Sequence, residues 1–251
     1  MLTSQRRALI ASRLKRDGQV VANDLAAEFE TSEDTIRRDL REMAAEGLLK
    51  RVHGGALPIQ PTLPDHAERR SIRSQEKRAL GQRAAELVKP GQLVFLDGGT
   101  TNAELARAIP RDLAITVATH SPTIAAEFEH HAAEVILIGG KLYKHSLVSV
   151  GAAALEAIAK LRPDIFFLGV TAIHPVHGLS TGDFEEAAIK RRICEQSAET
   201  WVLAVNDKFG AASPCHVVDV RQLIGLVVSS GMAEADLAPY REIGVDVAAA
   251  A

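Results

Sequence analysis

The sequence has few cysteines and no long apolar run, and each absence excludes a class of protein. Cys194 and Cys215 are its only cysteines, too few for a disulfide framework, so we expect a reducing, cytoplasmic environment. No stretch approaches the roughly 20 consecutive apolar residues of a membrane-spanning helix. The N-terminal residues alternate charged and apolar side chains, unlike a secretory signal or an anchor. The sequence therefore predicts a chain that acts away from membranes.

Composition and charge indicate a folded protein with two unlike parts. Hydrophobic residues make up 47% of the 251 residues and charged residues 24%, which excludes an intrinsically disordered chain. Residues 1–81 contain 15 Lys and Arg against 12 Asp and Glu, whereas residues 82–251 contain 14 against 20. A basic N-terminal part joined to an acidic remainder is compatible with a nucleic-acid-binding domain on a different body.

The N-terminal part has the pattern of a winged helix-turn-helix. Periodic apolar residues predict helices over 3–17, about 23–29 and 33–46, with Asn23 as the N-cap of the second. A tight break separates the second helix from the third. The following segment, LLKRVHGGAL, predicts two short strands around a Gly-Gly turn. In a winged helix-turn-helix, the third helix enters the major groove of DNA.

The third helix presents arginines on its outer surface. Its apolar residues Ile36, Leu40 and Met43 follow the i, i+4, i+7 spacing, so they face inward. Arginine binds phosphate or the guanine edge bidentately, and hydroxyls at a helix start can meet a phosphate. The predicted DNA-contacting residues are Thr31, Ser32, Thr35, Arg37, Arg38, Arg41, Lys50, Arg51 and His53.

A plain alternative exists for these arginines. Arg37 and Arg38 could form a solvated face paired with Asp34, Asp39 and Glu42. The helix-turn-helix spacing and the basic wing favour DNA binding over this alternative.

A proline-rich segment separates the two parts. Residues 57–66 contain three prolines, which remove backbone donors and favour extended conformations. We therefore predict a winged helix-turn-helix domain over 1–57, a linker over 58–71 and an α/β domain over 72–251.

The C-terminal part alternates short apolar strands with helices. Strands that are apolar throughout are expected where helices cover both faces of a mainly parallel sheet. The predicted strands are 93–97, 113–119, 133–139, 164–170, 200–206 and 223–229, and the predicted helices are 72–88, 101–108, 121–129, 151–160 and 184–198.

Three loops that follow strands predict a site for a small phosphorylated molecule. Ligands of open α/β sheets gather at the carboxyl ends of the strands. Glycine loops and threonine hydroxyls suit phosphate, and a lysine adds a point charge. The loop DGGTT could equally be a plain turn, and Glu186 with Lys190 could be only a helix-stabilising pair. The predicted effector-binding residues are Asp97, Gly98, Gly99, Thr100, Thr101, Gly139, Gly140, Lys141, Glu186, Asp207 and Lys208.

Both parts resemble one family of bacterial transcriptional regulators. The segment SEDTIRRDLREMAAEGLLKRVHGGA resembles the DeoR signature, and residues 97–101, 136–140, 186–191 and 205–210 resemble motifs of the DeoR C-terminal sensor domain. The resemblance implies a sugar-phosphate isomerase-like fold, a phosphorylated sugar or polyol effector, operator DNA as partner and a homo-oligomer, dimer or tetramer. Ala172 and Asn206-Asp207 depart from the family pattern.

Two functions compete on these residues. The first is a repressor of a sugar or polyol catabolic operon, released from its operator by the effector. The second is a sugar-phosphate isomerase or deaminase with an accessory head, for which Asp97, Glu186 and Lys208 offer acid–base chemistry. The predicted DNA-binding domain favours the repressor hypothesis. We therefore expect no catalytic residues and no enzyme activity. No metal ion is expected, because the histidines lack a Cys or carboxylate cluster at ligand spacing. No cofactor is expected either, since the DGGTT loop lacks the lysine of a Walker A loop and the GxGxxG pattern of a dinucleotide site.

Overall fold

The computed structural model describes residues 1–58 and 64–250, and it confirms an α/β fold. Within these ranges no helix is both long and apolar enough to cross a membrane. The helices are α1 (Thr3–Asp17), α2 (Ala22–Glu28), α3 (Glu33–Ala45), α4 (His66–Ser71), α5 (Ser74–Ala85), α6 (Thr100–Ala108), α7 (Pro122–Ala126), α8 (Ala152–Ile158), α9 (Phe184–Gln196) and α10 (Glu234–Glu242).

Fifteen short strands are distributed among four sheets in the described ranges. They are β1 (Val20–Val21), β2 (Lys50–Val52), β3 (Gly55–Leu57), β4 (Leu93–Leu96), β5 (Thr116–Thr119), β6 (Glu134–Leu137), β7 (Lys141–Tyr143), β8 (Val148–Val150), β9 (Ile165–Leu168), β10 (Ala172–His174), β11 (Gly178–Thr181), β12 (Glu199–Ala204), β13 (Cys215–Val218), β14 (Gly225–Val228) and β15 (Asp246–Ala249).

The N-terminal unit consists of α1 to α3 and a three-stranded sheet in the order β1-β3-β2. The side chain of Ser32 caps α3 by accepting a hydrogen bond from the backbone N–H of Thr35 at 3.2 Å. The predicted N-cap at Asn23 is wrong. Val21 occupies the cap position, because β1 pairs with β3 up to Val21 and α2 begins at the next residue. The core residues are Ile10, Leu14, Val20, Leu25, Ile36, Leu40, Met43 and Leu49.

The C-terminal unit is built on seven parallel strands in the order β15-β14-β12-β9-β4-β5-β6. From β4 the chain adds strands toward one edge, and from β9 it adds them toward the other. The strand order therefore reverses between β4 and β9. In open α/β sheets, such a reversal leaves a crevice at the carboxyl ends of the two strands.

Alternate residues of the central strands fill two separate cores, one on each face of the sheet. Helices α8, α9 and α10 cover one face, and α5, α6 and α7 cover the other. This arrangement explains why these strands are apolar at successive positions. Sheet residues of the first core are Phe95, Phe166, Val202 and Leu226, and those of the second are Val94, Phe167, Leu203 and Val227.

A second, antiparallel sheet adjoins the first core in the order β10-β11-β13. Its residues Ile173, Leu179 and Val217 are buried in that core. Strands β10 and β11 form a hairpin in which Ala172 pairs with Ser180 and His174 pairs with Gly178. The sequence pattern did not predict this sheet.

The segment predicted as a linker contains a helix. Asp65 and Glu68 form a capping box at the start of α4, which covers residues 66–71. The part of the predicted linker at 59–63 lies outside the described residues. Helix α4 leads within three residues into α5, so the end of the predicted linker is built into the C-terminal unit.

Replacing Gly81 with alanine tests the close packing of α5 on α6. A Cβ at residue 81 would lie 2.6 Å from the backbone carbon of Glu104 and from the backbone nitrogen of Leu105. We expect Gly81→Ala to lower the free energy of unfolding by about 1–3 kcal/mol in urea, although alanine is the better helix former. Gly182→Ala is the control, since its Cβ would meet none of the described residues within 4 Å. Equal stability of both variants would contradict the packing.

Candidate functional site

A cavity of about 390 Å³ lies at the carboxyl ends of β4 and β9, where the strand order reverses. The loop after β4 supplies Gly98 and Gly99, and the loop after β9 supplies Gly169. Its volume falls within the roughly 300–1,000 Å³ typical of small-molecule sites. The fold therefore places a ligand-sized pocket where α/β proteins bind ligands.

Asp97 holds the floor of this pocket together. Its carboxylate is fully buried and accepts hydrogen bonds from the backbone N–H groups of Gly98 at 2.7 Å and Gly169 at 2.8 Å. Lys190 Nζ donates to Oδ2 at 2.5 Å, and His120 Nε2 donates to Oδ1 at 2.7 Å. Nδ1 of the same ring lies 2.9 Å from the carbonyl oxygen of Ser149. One carboxylate thus joins the loops after β4 and β9 to α9 and to the segment after β5.

Buried charges stabilise one another in this cluster. Burial alone would raise the pKa of the Asp97 carboxyl, but the ammonium of Lys190 and the ring of His120 hold that pKa well below its ordinary value. Burial alone would lower the pKa of Lys190, but Asp97 and Glu186 hold it above its ordinary value. Glu186 lies 3.3 Å from Lys190 and accepts a hydrogen bond from Thr181 at 2.9 Å. Asp97 and Lys190 are therefore both charged near neutral pH, and they are hydrogen-bonded to each other.

The first turn of α6 points into the cavity. Gly99 precedes the helix with a φ of 118°, a backbone conformation that favours glycine. Thr100 and Thr101 follow it and line the cavity. Asn102 anchors the turn by donating to the carbonyls of Asp97 at 3.1 Å and Phe167 at 2.9 Å. Unpaired N–H groups at a helix N-terminus attract anions.

Three of the cationic side chains that line the same cavity bond to backbone carbonyls. Lys208 donates from Nζ to the carbonyl of Val170 at 2.6 Å, and burial lowers the pKa of Lys208 to about 8. Lys77 is buried and donates to the carbonyl of Arg69 at 2.5 Å, and burial lowers its pKa as well. Arg69 donates to the carbonyl of His145 at 2.9 Å, while its buried Nε has no partner among the described residues. The cavity therefore offers positive charge without a carboxylate paired to each cation.

The structure brings most of the predicted effector-binding residues together and leaves some apart. Asp97 lies behind the cavity wall, with its oxygens turned to protein partners. Gly139 and Gly140 lie outside the lining residues, and Lys141 is 80% exposed and lies 3.9 Å from Glu185. The predicted residues that line the cavity are Gly98, Gly99, Thr100, Thr101, Glu186, Asp207 and Lys208.

Several residues that line the cavity were not predicted from the sequence as effector-binding. Arg69 lies within the predicted linker, so no sequence signal indicated that it would reach a pocket. Lys190 had a signal, since it follows Glu186 by one helical turn. The lining residues not predicted as effector-binding include Arg69, Lys77, Asn102, His145, Ser146, Thr171, Thr181 and Lys190.

A second concave surface lies between α3 and the β2–β3 wing, with a volume of about 260 Å³. Four predicted DNA-contacting residues line it: Arg37, Arg41, Arg51 and His53. Arg38 and Lys50 are exposed beside it, whereas the hydroxyl of Ser32 is engaged in capping α3. The third helix and the wing thus present one basic surface.

The acidic residues near this surface mostly face elsewhere. Asp39 is buried and pairs with Arg6, and Glu42 pairs with Arg7, both on α1. Arg37 pairs with Glu33 at 2.8 Å, one turn earlier on α3. The alternative in which Arg37 and Arg38 pair with Asp34, Asp39 and Glu42 is therefore wrong for Asp39 and Glu42, because these two acids bind α1 to α3.

Comparison with known proteins gives matches to both units. A family model described as a DeoR-like helix-turn-helix domain matches residues 6–62, and one described as the DeoR C terminal sensor domain matches residues 72–230. The HTH-type transcriptional regulator GlpR of Haloferax volcanii is 34% identical over 239 residues, covering 94% of this chain and 93% of that protein. The glycerol-3-phosphate regulon repressor of Escherichia coli K12 is 31% identical over 212 residues, covering 84% of each.

Solved structures give more distant similarities. Ribose 5-phosphate isomerase A from Methanocaldococcus jannaschii has a TM-score of 0.41 and 16% identity over 54% of each chain. The full-length sorbitol operon regulator SorC from Klebsiella pneumoniae has a TM-score of 0.38 and 11% identity, covering 83% of this chain and 96% of that one.

Replacing Asp97 with asparagine tests the charged cluster. The variant would leave Lys190 buried without its closest anion, and breaking a buried ion pair costs about 3–5 kcal/mol. We expect urea unfolding of Asp97→Asn to show a loss of that size. Adding Lys190→Met to the variant removes the uncompensated charge and should restore part of the loss. Wild-type stability of Asp97→Asn would contradict the role of the carboxylate.

Proposed function

Because the chain belongs to the DeoR family of transcriptional regulators, we propose that its C-terminal cavity binds a phosphorylated sugar or polyol. Binding would release the N-terminal domain from operator DNA. The regulated genes would then be a sugar or polyol catabolic operon. The observation that carries the proposal is the set of cations around the first turn of α6: Arg69, Lys77 and Lys208.

These three cations suit a phosphate group. A sugar phosphate is dianionic near neutral pH and carries three acceptor oxygens, which match ammonium and guanidinium donors. The backbone N–H groups of the α6 first turn can add donors next to Thr100 and Thr101, which line the cavity. An uncharged sugar would leave the positive charge of these side chains without a neutralising anion, so the site favours the phosphorylated form.

The rest of the cavity suits hydroxyl groups. Ser146, Thr171 and Thr181 line it with hydroxyls that can donate or accept, and Glu186 adds a carboxylate. Asp207 also lines it, near Arg73 at 3.3 Å. This mixture supports a polyhydroxylated ligand, and it leaves the choice among such ligands to a binding screen.

Coupling to DNA follows from where the cations lie in the chain. Arg69 belongs to α4, which follows the segment that connects the two units, and Lys77 belongs to the first turns of α5. A phosphate held between these side chains and Lys208 would pull the connecting segment toward the sheet. Effector binding would therefore change how the N-terminal domains of an oligomer are presented to operator half-sites.

On the DNA side, we propose that α3 enters the major groove and the wing contacts the backbone. Arg37 and Arg41 face the concave surface together with Arg51 of the wing. A homo-oligomer, dimer or tetramer, would present paired α3 helices to the two half-sites. We do not favour turnover of the ligand, because Asp97 is sealed behind the wall and Glu186 is bonded to Thr181 and Lys190.

A thermal-shift screen tests the effector proposal. A ligand that binds the native state raises its melting temperature, so glycerol 3-phosphate, ribose 5-phosphate and glucosamine 6-phosphate are compared with their unphosphorylated counterparts. We expect stabilisation by at least one phosphorylated compound and loss of that stabilisation in Lys208→Met. Arg192→Met, which changes an exposed α9 cation, is the control. Equal stabilisation by sugars without phosphate would contradict the proposal.

The pKa of Lys208 predicts the pH dependence of binding. Its ammonium is present below a pKa of about 8 and is lost as the pH rises through that value. Phosphate affinity should therefore fall between pH 7.5 and 9.5, a range in which a phosphate monoester with a pKa near 6 stays dianionic. Calorimetric titration with the stabilising compound at several pH values measures this affinity. Lys208→Arg keeps its charge throughout, so an equally steep fall in that variant would assign the dependence to another group.

Arg37→Ala tests the DNA-binding surface. Duplexes selected by the wild-type chain from a random-sequence pool provide the operator. If Arg37 contacts a base, we expect the variant to bind this duplex more weakly by about 1–3 kcal/mol and to relax the preference at one position. Arg192→Ala, an exposed helical arginine of the C-terminal unit, is the control at matched salt. Unchanged affinity of Arg37→Ala would remove this residue from the interface.

A further inference from the structure

The turn of the β10–β11 hairpin contacts the N-terminal unit. His177 Nε2 donates a hydrogen bond to the backbone carbonyl of Asp17 at 3.2 Å, at the last residue of α1. The same ring covers Gly18, where an added Cβ would lie 1.9 Å from Nε2. Gly18 has a φ of 69° and closes α1 by donating to the carbonyl of Leu14 at 3.0 Å. The imidazole therefore packs directly on the C-cap of α1.

His174 gives this turn a defined shape. Its ring is buried, and Nδ1 accepts hydrogen bonds from the backbone N–H groups of Val176 at 3.1 Å and His177 at 3.2 Å. The rings of His174 and His177 lie 4.7 Å apart. Pro175 fixes one further backbone angle between them. The turn presents His177 to α1 from a rigid hairpin end.

The other end of the same hairpin lies in the cavity wall. Thr171 precedes β10 and Thr181 ends β11, and both line the cavity. Lys208 Nζ donates a hydrogen bond to the carbonyl of Val170 at 2.6 Å. The backbone N–H of Gly210 donates to the carbonyl of Ile173 at 2.9 Å, next to His174. The loop that carries Lys208 is thus bonded to Val170, two residues before β10, and to Ile173 within β10.

We propose that the β10–β11 hairpin is the surface on which the N-terminal unit docks, and that His177 transmits the state of the cavity to α1. An anion that draws Lys208 away from the Val170 carbonyl would release the start of β10. The shift would reach His177 through Ile173 and His174. The proposal rests on the proposed function in one respect, since it takes the cavity to be the effector site.

A double-mutant cycle tests this coupling without any effector. The four proteins are the full-length wild type, Lys208→Met, His177→Ala and the double variant. The readout is amide hydrogen exchange of the last turn of α1, where the Gly18 N–H is bonded to Leu14. We expect each single variant to exchange about fivefold faster or more there. We expect the double variant to exchange no faster than His177→Ala alone, because the two changes act through one contact.

Two further variants separate the contact from a general loss of structure. His177→Gln retains an N–H donor for the Asp17 carbonyl, so exchange in α1 should return toward the wild-type rate. His130→Ala removes an exposed loop histidine elsewhere in the C-terminal unit and should leave exchange in α1 unchanged. Thermal melting of all variants confirms that each is folded.

Operator binding provides the functional readout. With the duplex selected from the random pool, we expect effector-free His177→Ala to differ in affinity from the wild type by about fivefold or more. Unchanged exchange in α1 for His177→Ala, or additive effects in the double variant, would overturn the proposal. Those outcomes would leave the effector proposal standing, since the exchange cycle contains no ligand. A failed thermal-shift screen would likewise leave this contact standing.

Discussion

The buried carboxylate of Asp97 is the interaction on which the C-terminal unit depends. It lies where the strand order reverses, and it binds the loops after β4 and β9, Lys190 of α9 and the ring of His120. Such a group is tolerable in a core only because each oxygen is hydrogen-bonded and a cation is close. The bonded loops in turn hold Gly99 and the first turn of α6 in the conformation that shapes the cavity.

The cationic side chains of the cavity differ in their bonding partners. Lys190 is paired with Asp97 and Glu186, whereas Arg69, Lys77 and Lys208 bond chiefly to backbone carbonyls. A carbonyl accepts a hydrogen bond from a donor without neutralising its charge. The positive charge of these three side chains can therefore still attract an anion. Two of them come from α4 and α5, next to the connecting segment. Under the proposed function, ligand recognition and domain placement therefore depend on the same residues.

Much of this fold could be predicted from the sequence, because periodic apolar residues decide both units. The three N-terminal helices, the wing and six of the seven strands of the parallel sheet follow such patterns. The β10–β11–β13 sheet could not be predicted, since strands of three or four residues such as Ala172–His174 carry too short a pattern. In the site, the glycine and threonine pattern indicated the loop after β4, whereas Gly139 and Gly140 lie outside the lining residues. No local pattern reveals that Asp97 turns away from the cavity or that Arg69 reaches it. Those outcomes depend on tertiary packing.

The most direct test of the account is reciprocal binding. The dissociation constant of the selected operator duplex is measured at increasing concentrations of the stabilising phosphorylated compound, and that of the compound is measured with and without duplex. Linkage requires the two affinities to weaken by the same factor. We expect this common factor to be well above one in the wild type and to fall to one in Lys208→Met. Operator affinity that stays constant while the cavity becomes saturated would contradict it.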